Sequence, residues 1–198
     1  MKYNTKTILI VVGIGVAAII LANVLFKRSD FEDSKDWFDK TTKWYNDKNT
    51  LSIVKGLHPK FRNKIAEFFT KIEKELGLGV IATSGYRTFE KQAELHRQNP
   101  SNAKPGYSSH NFGFAVDMNV KDKNGNIILR KASSNKQWTD SKVVDLAKKI
   151  GLSWGGGGAF GNYHDPVHFY IKPKGLSTAD LRQMYNEGKK DNEGYVTV

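Results

Sequence analysis

Residues 108 to 120 read SSHNFGFAVDMNV, and the fold of the chain is decided there. From Phe114 the residues alternate: Phe114, Val116, Met118 and Val120 are apolar, with Ala115, Asp117 and Asn119 between them. Successive side chains of a strand point to opposite faces, so Asp117 belongs on the face away from the apolar set. His110 precedes Asp117 by seven positions, a span of roughly 23 Å if fully extended. For both side chains to serve one site the chain must turn between them. Gly113 is the residue that makes such a turn at least steric cost.

A second segment, HDPVHF at 164–169, adds His168 and Asp165. Catalytic zinc takes three protein ligands from the His, Asp, Glu and Cys set and keeps a fourth position open. His110, Asp117 and His168 are a candidate set for one zinc ion. Asp165, three residues before His168 and linked to it through the stiffening Pro166, is the candidate base for a water's proton. Arg87, at the end of a short predicted strand, is the candidate cation for a developing oxyanion. On spacing alone the histidines also fit ordinary polar residues, and Arg87 also fits a structural ion-pair partner.

Outward from these segments the chain alternates helices and strands without a regular βαβ rhythm. His58-Pro59 opens a helix whose apolar residues Phe61, Ile65, Phe68, Phe69, Ile72 and Leu76 recur at helical spacing, with Gly77 as its C-terminal cap. Val80 to Ser84 reads as a short buried strand, and Phe89 to Gln98 as a helix that ends before Pro100. Asn99 to Ser109 reads as a loop. Lys123 to Asn126 is a turn into Ile127 to Leu129, and Val143 to Ile150 forms a second helical face closed by Gly151. Leu152 to Trp154 and Val167 to Lys172 are strands flanking a glycine-rich loop, and Ser177 with Asp180 fits a capping box. This pattern predicts an α+β domain with a small, mostly antiparallel sheet and flanking helices.

Ile8 to Phe26 is an uncharged run that, as a helix, reaches roughly 28 Å and matches a hydrocarbon core. It ends in Phe26-Lys27-Arg28 rather than in small residues, which favours an uncleaved anchor over a signal peptide. Ser29 to Glu32 fits a capping box before an aromatic stripe of Phe31, Trp37, Phe38, Trp44 and Tyr45. That stripe reads as a stalk helix packed on the domain, or alternatively as a helix lying in the membrane interface. Two lysines precede the anchor, while Lys27, Arg28, Lys35, Lys40 and Lys43 lie just beyond it, a charge count that opposes export of the C-terminal part. Large domains translocate regardless of charge, and the chemistry argues for an exported domain. The 198 residues contain no cysteine, which excludes thiolate ligands, disulfides and a cysteine nucleophile. The formal net charge of +11 favours anionic partners without choosing among them, and nothing beyond charge points to nucleic acid.

Three ordered segments, SGYRTFEKQAEL, SSHNFGFAVD and a WGG stretch ending in DPVHF, closely resemble the LAS-type zinc metallopeptidases that cleave bacterial cell-wall peptides. The resemblance runs from about Leu57 to about Lys172. It implies a Hedgehog-like, D,D-peptidase-like fold, zinc held by His110, Asp117 and His168, Asp165 as general base, and Arg87 stabilising the carbonyl oxygen. It also implies that Ser108 and Gln92 hold the substrate or the site, with the loop at Trp154 shaping specificity. Aspartate at position 165 is most similar to the endolysin-like L-alanyl-D-glutamate endopeptidases; a D-alanyl-D-alanine carboxypeptidase is the alternative, and an inactive zinc-bearing wall- or membrane-binding module is the alternative of another class. The expected organisation is a tail at 1–7, an anchor at 8–26, a linker at 27–56, the peptidase domain at 57–187 and a loose tail at 188–198. The expected partners are a peptidoglycan stem peptide and a lipid bilayer, with the catalytic domain facing the wall from a bacterial inner membrane or a virion membrane.

Overall fold

The computed structural model describes residues 38–198. The expected anchor at Ile8 to Phe26, the cap at Ser29 to Glu32 and the first part of the aromatic stripe lie outside the described residues. Among the described residues no helix is long and apolar enough to cross a membrane.

The fold is built on one five-stranded sheet in which every pairing is antiparallel. Strand β1 (Gly79–Ser84) pairs with β2 (Ala115–Lys121), and β2 pairs in turn with β5 (His168–Tyr170), which carries β4 (Ser153–Trp154) on its far side. The short β3 (Ile127–Leu129) folds back on the end of β2. The alternation at 114–120 makes β2 two-faced: Val116, Met118 and Val120 are buried, while Asp117 and Asn119 line a cleft. β5 repeats the pattern, with Phe169 in the core and His168 and Tyr170 on the cleft side.

The apolar face of the sheet packs on helix α3 (Pro59–Leu76), whose Phe61, Ile65, Phe68, Phe69 and Ile72 are buried. Phe68 and Phe169 meet with ring centroids 5.1 Å apart. Each such side chain contributes about 1.5–3 kcal/mol by leaving water. Gly77 ends α3 in the left-handed conformation, as its position predicts. Helices α4 (Phe89–Gln98), α5 (Asn135–Asp140), α6 (Val143–Lys149) and α7 (Thr178–Asn186) complete the flanks. The Ser177 and Asp180 capping box of α7 is present, whereas α5, capped by Ser134 and Gln137, has no counterpart in the periodicity.

The domain is larger at both ends than the resemblance implies. The aromatic stripe is not one helix: the chain turns at Lys40–Thr41, forms a single-turn α1 (Lys43–Asn46), and restarts as α2 (Lys48–Lys55) under an Asp47 cap. The break swings Trp44 into the core, where its indole donates to Thr70 at 3.2 Å. Glu73 accepts the N–H groups of Lys43 and Trp44 at 2.8 and 2.7 Å, so α3 supplies the cap that α1 lacks. The expected loose tail at 188–198 is also ordered into the fold. Val196 and Val198 are buried, Tyr195 donates to the carbonyl of Gly56 at 2.8 Å, and His58 bonds the carbonyl of Val196 at 3.0 Å. Polar composition alone misreads this tail, because two valines at alternate positions are enough to fasten it.

Candidate active site

Three side chains from distant parts of the chain converge on the floor of the cleft. Asp117 and His168 are register partners across β2 and β5, and Oδ1 of Asp117 lies 2.9 Å from Nδ1 of His168. His110 arrives from a 3-10 turn (Ser109–Phe112) that ends at Gly113 with φ of 72°, the turn the sequence requires. Its Nε2 sits 3.2 Å from Oδ1 of Asp117 and 3.1 Å from Nδ1 of His168. Among the described residues this is the one group of three or more acidic or histidine side chains whose ligating atoms all lie within 4.8 Å.

The donor set fits zinc. Ligands at 2.0–2.2 Å around one tetrahedral ion are about 3.4 Å apart, close to the spacings observed. The Nδ1–H of His110 donates to the carbonyl of Gly85 at 2.6 Å, which leaves its Nε2 as a lone pair facing the other two donors. Burial opposes ionisation of Asp117, but in the absence of a metal the charge and N–H groups that protonated His110 and His168 would offer outweigh it and hold the carboxyl well below the ordinary carboxylate range. The group is thus poised as an anionic ligand beside two imidazoles. His96 and His164 are engaged elsewhere, with the carbonyls of Asn102 and Ser133.

Arg87 lines the same cleft and is fixed rather than free. Its two terminal nitrogens donate to Oε1 of Gln92 at 2.9 Å and to the hydroxyl of Ser84 at 2.8 Å, and the second lies 3.7 Å from Oδ2 of Asp117. Gln92 is buried and spends its amide N–H on the carbonyl of Ala103 at 2.6 Å. Its side chain therefore orients Arg87 and ties the 99–106 loop to α4. Ser108 lines the cleft and its hydroxyl accepts from the N–H of His110 at 3.4 Å, capping the turn that carries the histidine.

Asp165 also lines the cleft, three residues before His168, and its backbone carbonyl accepts the His168 N–H at 3.2 Å. Trp154 is placed differently from expectation. Its indole donates to the carbonyl of Pro166 at 2.8 Å and its ring covers Gly156 so closely that a Cβ there would lie 2.2 Å from it. Trp154 is not among the residues lining the cleft; it braces the glycine loop and the Asp165 segment, because Gly156 and Gly157 offer no side chain to hold it off. Phe160, on the same loop, is an aromatic that does line the cleft, with its ring 5.6 Å from that of His168.

Four further residues complete the site without having been legible in the sequence. Asn111 donates to the carbonyl of Arg87 at 2.9 Å and accepts the Gly106 N–H at 3.0 Å, joining the arginine segment to the histidine turn. Ser84, Lys131 and Tyr163 also line the cleft. Ser84 opens the SGYRTFEKQAEL segment and Asn111 lies within SSHNFGFAVD, but neither segment assigns them a part in the site, and no signal marks Lys131 or Tyr163. The cleft as a whole has a volume of about 950 Å³, ample for a short peptide.

Comparison with known proteins identifies the family of the chain. Residues 101–171 match a family model of M15 peptidases described as D-alanyl-D-alanine carboxypeptidase. The chain is 31% identical over 116 residues to the peptidoglycan L-alanyl-D-glutamate endopeptidase CwlK of Bacillus subtilis, covering 54% of this chain and 69% of that protein. The chain belongs to the M15 zinc peptidases. The LAS-type resemblance is thereby established, and the protein is a zinc metallopeptidase. Among solved structures, the L-Ala D-Glu endopeptidase ChiX of Serratia marcescens gives a TM-score of 0.48 at 20% identity, covering 65% of this chain and 90% of that one. The vancomycin resistance D,D-pentapeptidase VanY, solved with Zn(II), gives 0.46 at 19% identity, with 64% and 78% covered.

Proposed function

We propose that this M15 peptidase hydrolyses stem peptides of bacterial peptidoglycan at the L-alanyl-D-glutamate bond. The observation that carries the reading is the convergence of His110, Asp117 and His168 in one cleft with Asp165 and Arg87. The cut bond is suggested by the endopeptidase relative at 31% identity. His110, Asp117 and His168 hold the zinc, which supplies Lewis acidity toward a scissile carbonyl and makes a water easier to deprotonate.

The chain's own groups do the rest. Asp165 accepts the proton of the attacking water at a carboxylate oxygen and delivers it to the departing amine nitrogen. Arg87, held in one orientation by Gln92 and Ser84, places its guanidinium toward the charge that grows on the carbonyl oxygen. Ser108 and Phe160 line the wall along which the peptide lies.

Full-length zinc-loaded protein incubated with purified peptidoglycan tests this, with products weighed by mass spectrometry. Peptides with a new amino-terminal D-glutamate support the reading. Release of D-alanine alone moves the assignment to a D-alanyl-D-alanine carboxypeptidase, the reading favoured by the description of the matching family model. Retention on peptidoglycan without hydrolysis, equal in wild type and Asp165→Ala, moves it to an inactive wall-binding module.

Ile8 to Phe26 supports a single-pass anchor that tethers the peptidase to a bacterial inner membrane or a virion membrane, with the catalytic domain toward the wall. The chain lacks cysteine, so a Lys136→Cys variant carries a single thiol on a well exposed side chain. Labelling of that thiol by a membrane-impermeant maleimide in intact spheroplasts is the expected result; labelling only after lysis rejects the orientation.

A further inference from the structure

Lys131 comes just after β3 in sequence and reaches the cleft beside Asp165. Its Nζ donates to the hydroxyl oxygen of Tyr163 at 3.1 Å, and that hydroxyl donates onward to Oδ1 of Asn102 at 3.2 Å. Oδ1 of Asp165 lies 3.6 Å from the same nitrogen, close enough for attraction and too far for a hydrogen bond. An ammonium carries three donors, and among the described residues only Tyr163 takes one. Burial opposes the charge of Lys131, but the hydrogen bond to Tyr163 and the field of Asp165 outweigh it and hold the group charged above the ordinary lysine range. The lysine is thus a largely exposed cation, oriented by Tyr163 and with unspent donors, at the edge of the site. Arg87, by contrast, is held by Gln92 and Ser84 with one N–H from each terminal nitrogen and lies beside Asp117 on the metal side of the cleft.

The chemistry of the reaction decides which part of the substrate meets Lys131. The proton held by Asp165 goes to the departing amine, so that nitrogen passes beside Asp165. The carbon bearing the nitrogen also bears the α-carboxyl group of the departing residue. The geometry points to Lys131 as the residue that recognises a free α-carboxylate on the residue that leaves. This inference rests on the role of Asp165 proposed above. The carboxylate has two sources: that of a D-glutamate joined onward through its γ-carboxyl, or the terminal carboxylate of a departing D-alanine.

Calorimetry on full-length zinc-loaded protein separates them, with γ-D-glutamyl-L-lysine and its α-amide as one pair of probes and D-alanine and D-alaninamide as the other. For the pair that matches, wild type should bind the acid roughly tenfold to hundredfold more tightly than the amide, the range of a hydrogen bond to a charged group. Lys131→Met should erase that ratio while leaving amide binding unchanged, Lys131→Arg should keep part of it, and Lys136→Met, a remote exposed charge, should keep all of it. Equal binding of acid and amide by wild type overturns the inference, as does equal weakening of both by Lys131→Met. Hydrolysis of L-alanyl-γ-D-glutamyl-L-lysine and of D-alanyl-D-alanine is followed in the same preparation. Discriminating binding without hydrolysis of either peptide leaves the carboxylate site standing and removes the peptidase reading.

Discussion

Asp117 and His168 face each other across two antiparallel strands, Oδ1 to Nδ1 at 2.9 Å, so two of the three candidate metal ligands are a single register pair. Because a one-residue slip would send both side chains to the other face, the sheet that forms the core also fixes the site. The apolar faces of the same strands pack on α3, on the side of the sheet away from the ligands.

Zinc removal should therefore cost stability without costing the fold. Chelation is expected to leave the far-ultraviolet circular dichroism unchanged and to lower the melting temperature, with recovery that grows with the logarithm of added zinc. Asp117→Ala should retain little zinc after dialysis, measured by elemental analysis, because two imidazoles alone lack the anionic donor. A chelated protein with the melting temperature of the loaded one would contradict the assignment.

Arg87 and Gln92 should behave as one unit. Arg87→Lys keeps the charge but cannot reach both Gln92 and Ser84, and kcat should fall by roughly 10²–10³ as for other lost oxyanion donors. Gln92→Leu should produce a smaller loss in kcat, and the double variant should be no worse than Arg87→Lys. Steady-state kinetics on a stem peptide reads all three; additive losses would separate the two side chains.

Gly113→Ala should be among the most damaging small substitutions in the chain. At φ of 72° a Cβ costs about 1–2 kcal/mol, and here it would also lie 2.6 Å from the backbone nitrogen of His58. The expected outcome is a lower midpoint in denaturant together with weaker zinc retention, since the turn sets the position of His110. Unchanged values of both would refute the role of the turn.

His58 should make stability sensitive to acid. Burial depresses its ionisation below the ordinary histidine value of 6.5, only partly offset by its hydrogen bond to the carbonyl of Val196. The folded state therefore binds the proton less readily than the unfolded chain. As pH falls below about 6.5 the unfolded state is protonated first, and stability declines. Above that value both states are neutral and the contribution is flat. His58→Gln, which can still donate to Val196, should lose less melting temperature than wild type between pH 7.5 and 5.5; an identical decline would assign the acid sensitivity to other groups.

Much of this was legible in the chain itself because it depends on local periodicity. The alternation at 114–120, the apolar spacing of 61–76 and the glycines at 77 and 113 each specify a strand, a helix or a turn from a few neighbouring side chains. The motifs containing Arg87, His110, Asp117, Asp165 and His168 likewise name their chemistry through residue type and order. The short α5 and the break before α2 were not legible, since helices of one or two turns carry too few apolar positions to show a period.

What the sequence determined by itself was the longer elements, the candidate ligand set and the chemistry those residue types allow. Only the tertiary structure decided who stands beside whom. Register placed Asp117 opposite His168, the fold of the tail against His58 replaced a loose end by a buried clasp, and Trp154 was set against the glycine loop while Phe160 came to line the cleft. Lys131 came to Asp165 from 34 positions away in the chain. These are long-range pairings, and their energies belong to packing between surfaces that no local pattern records.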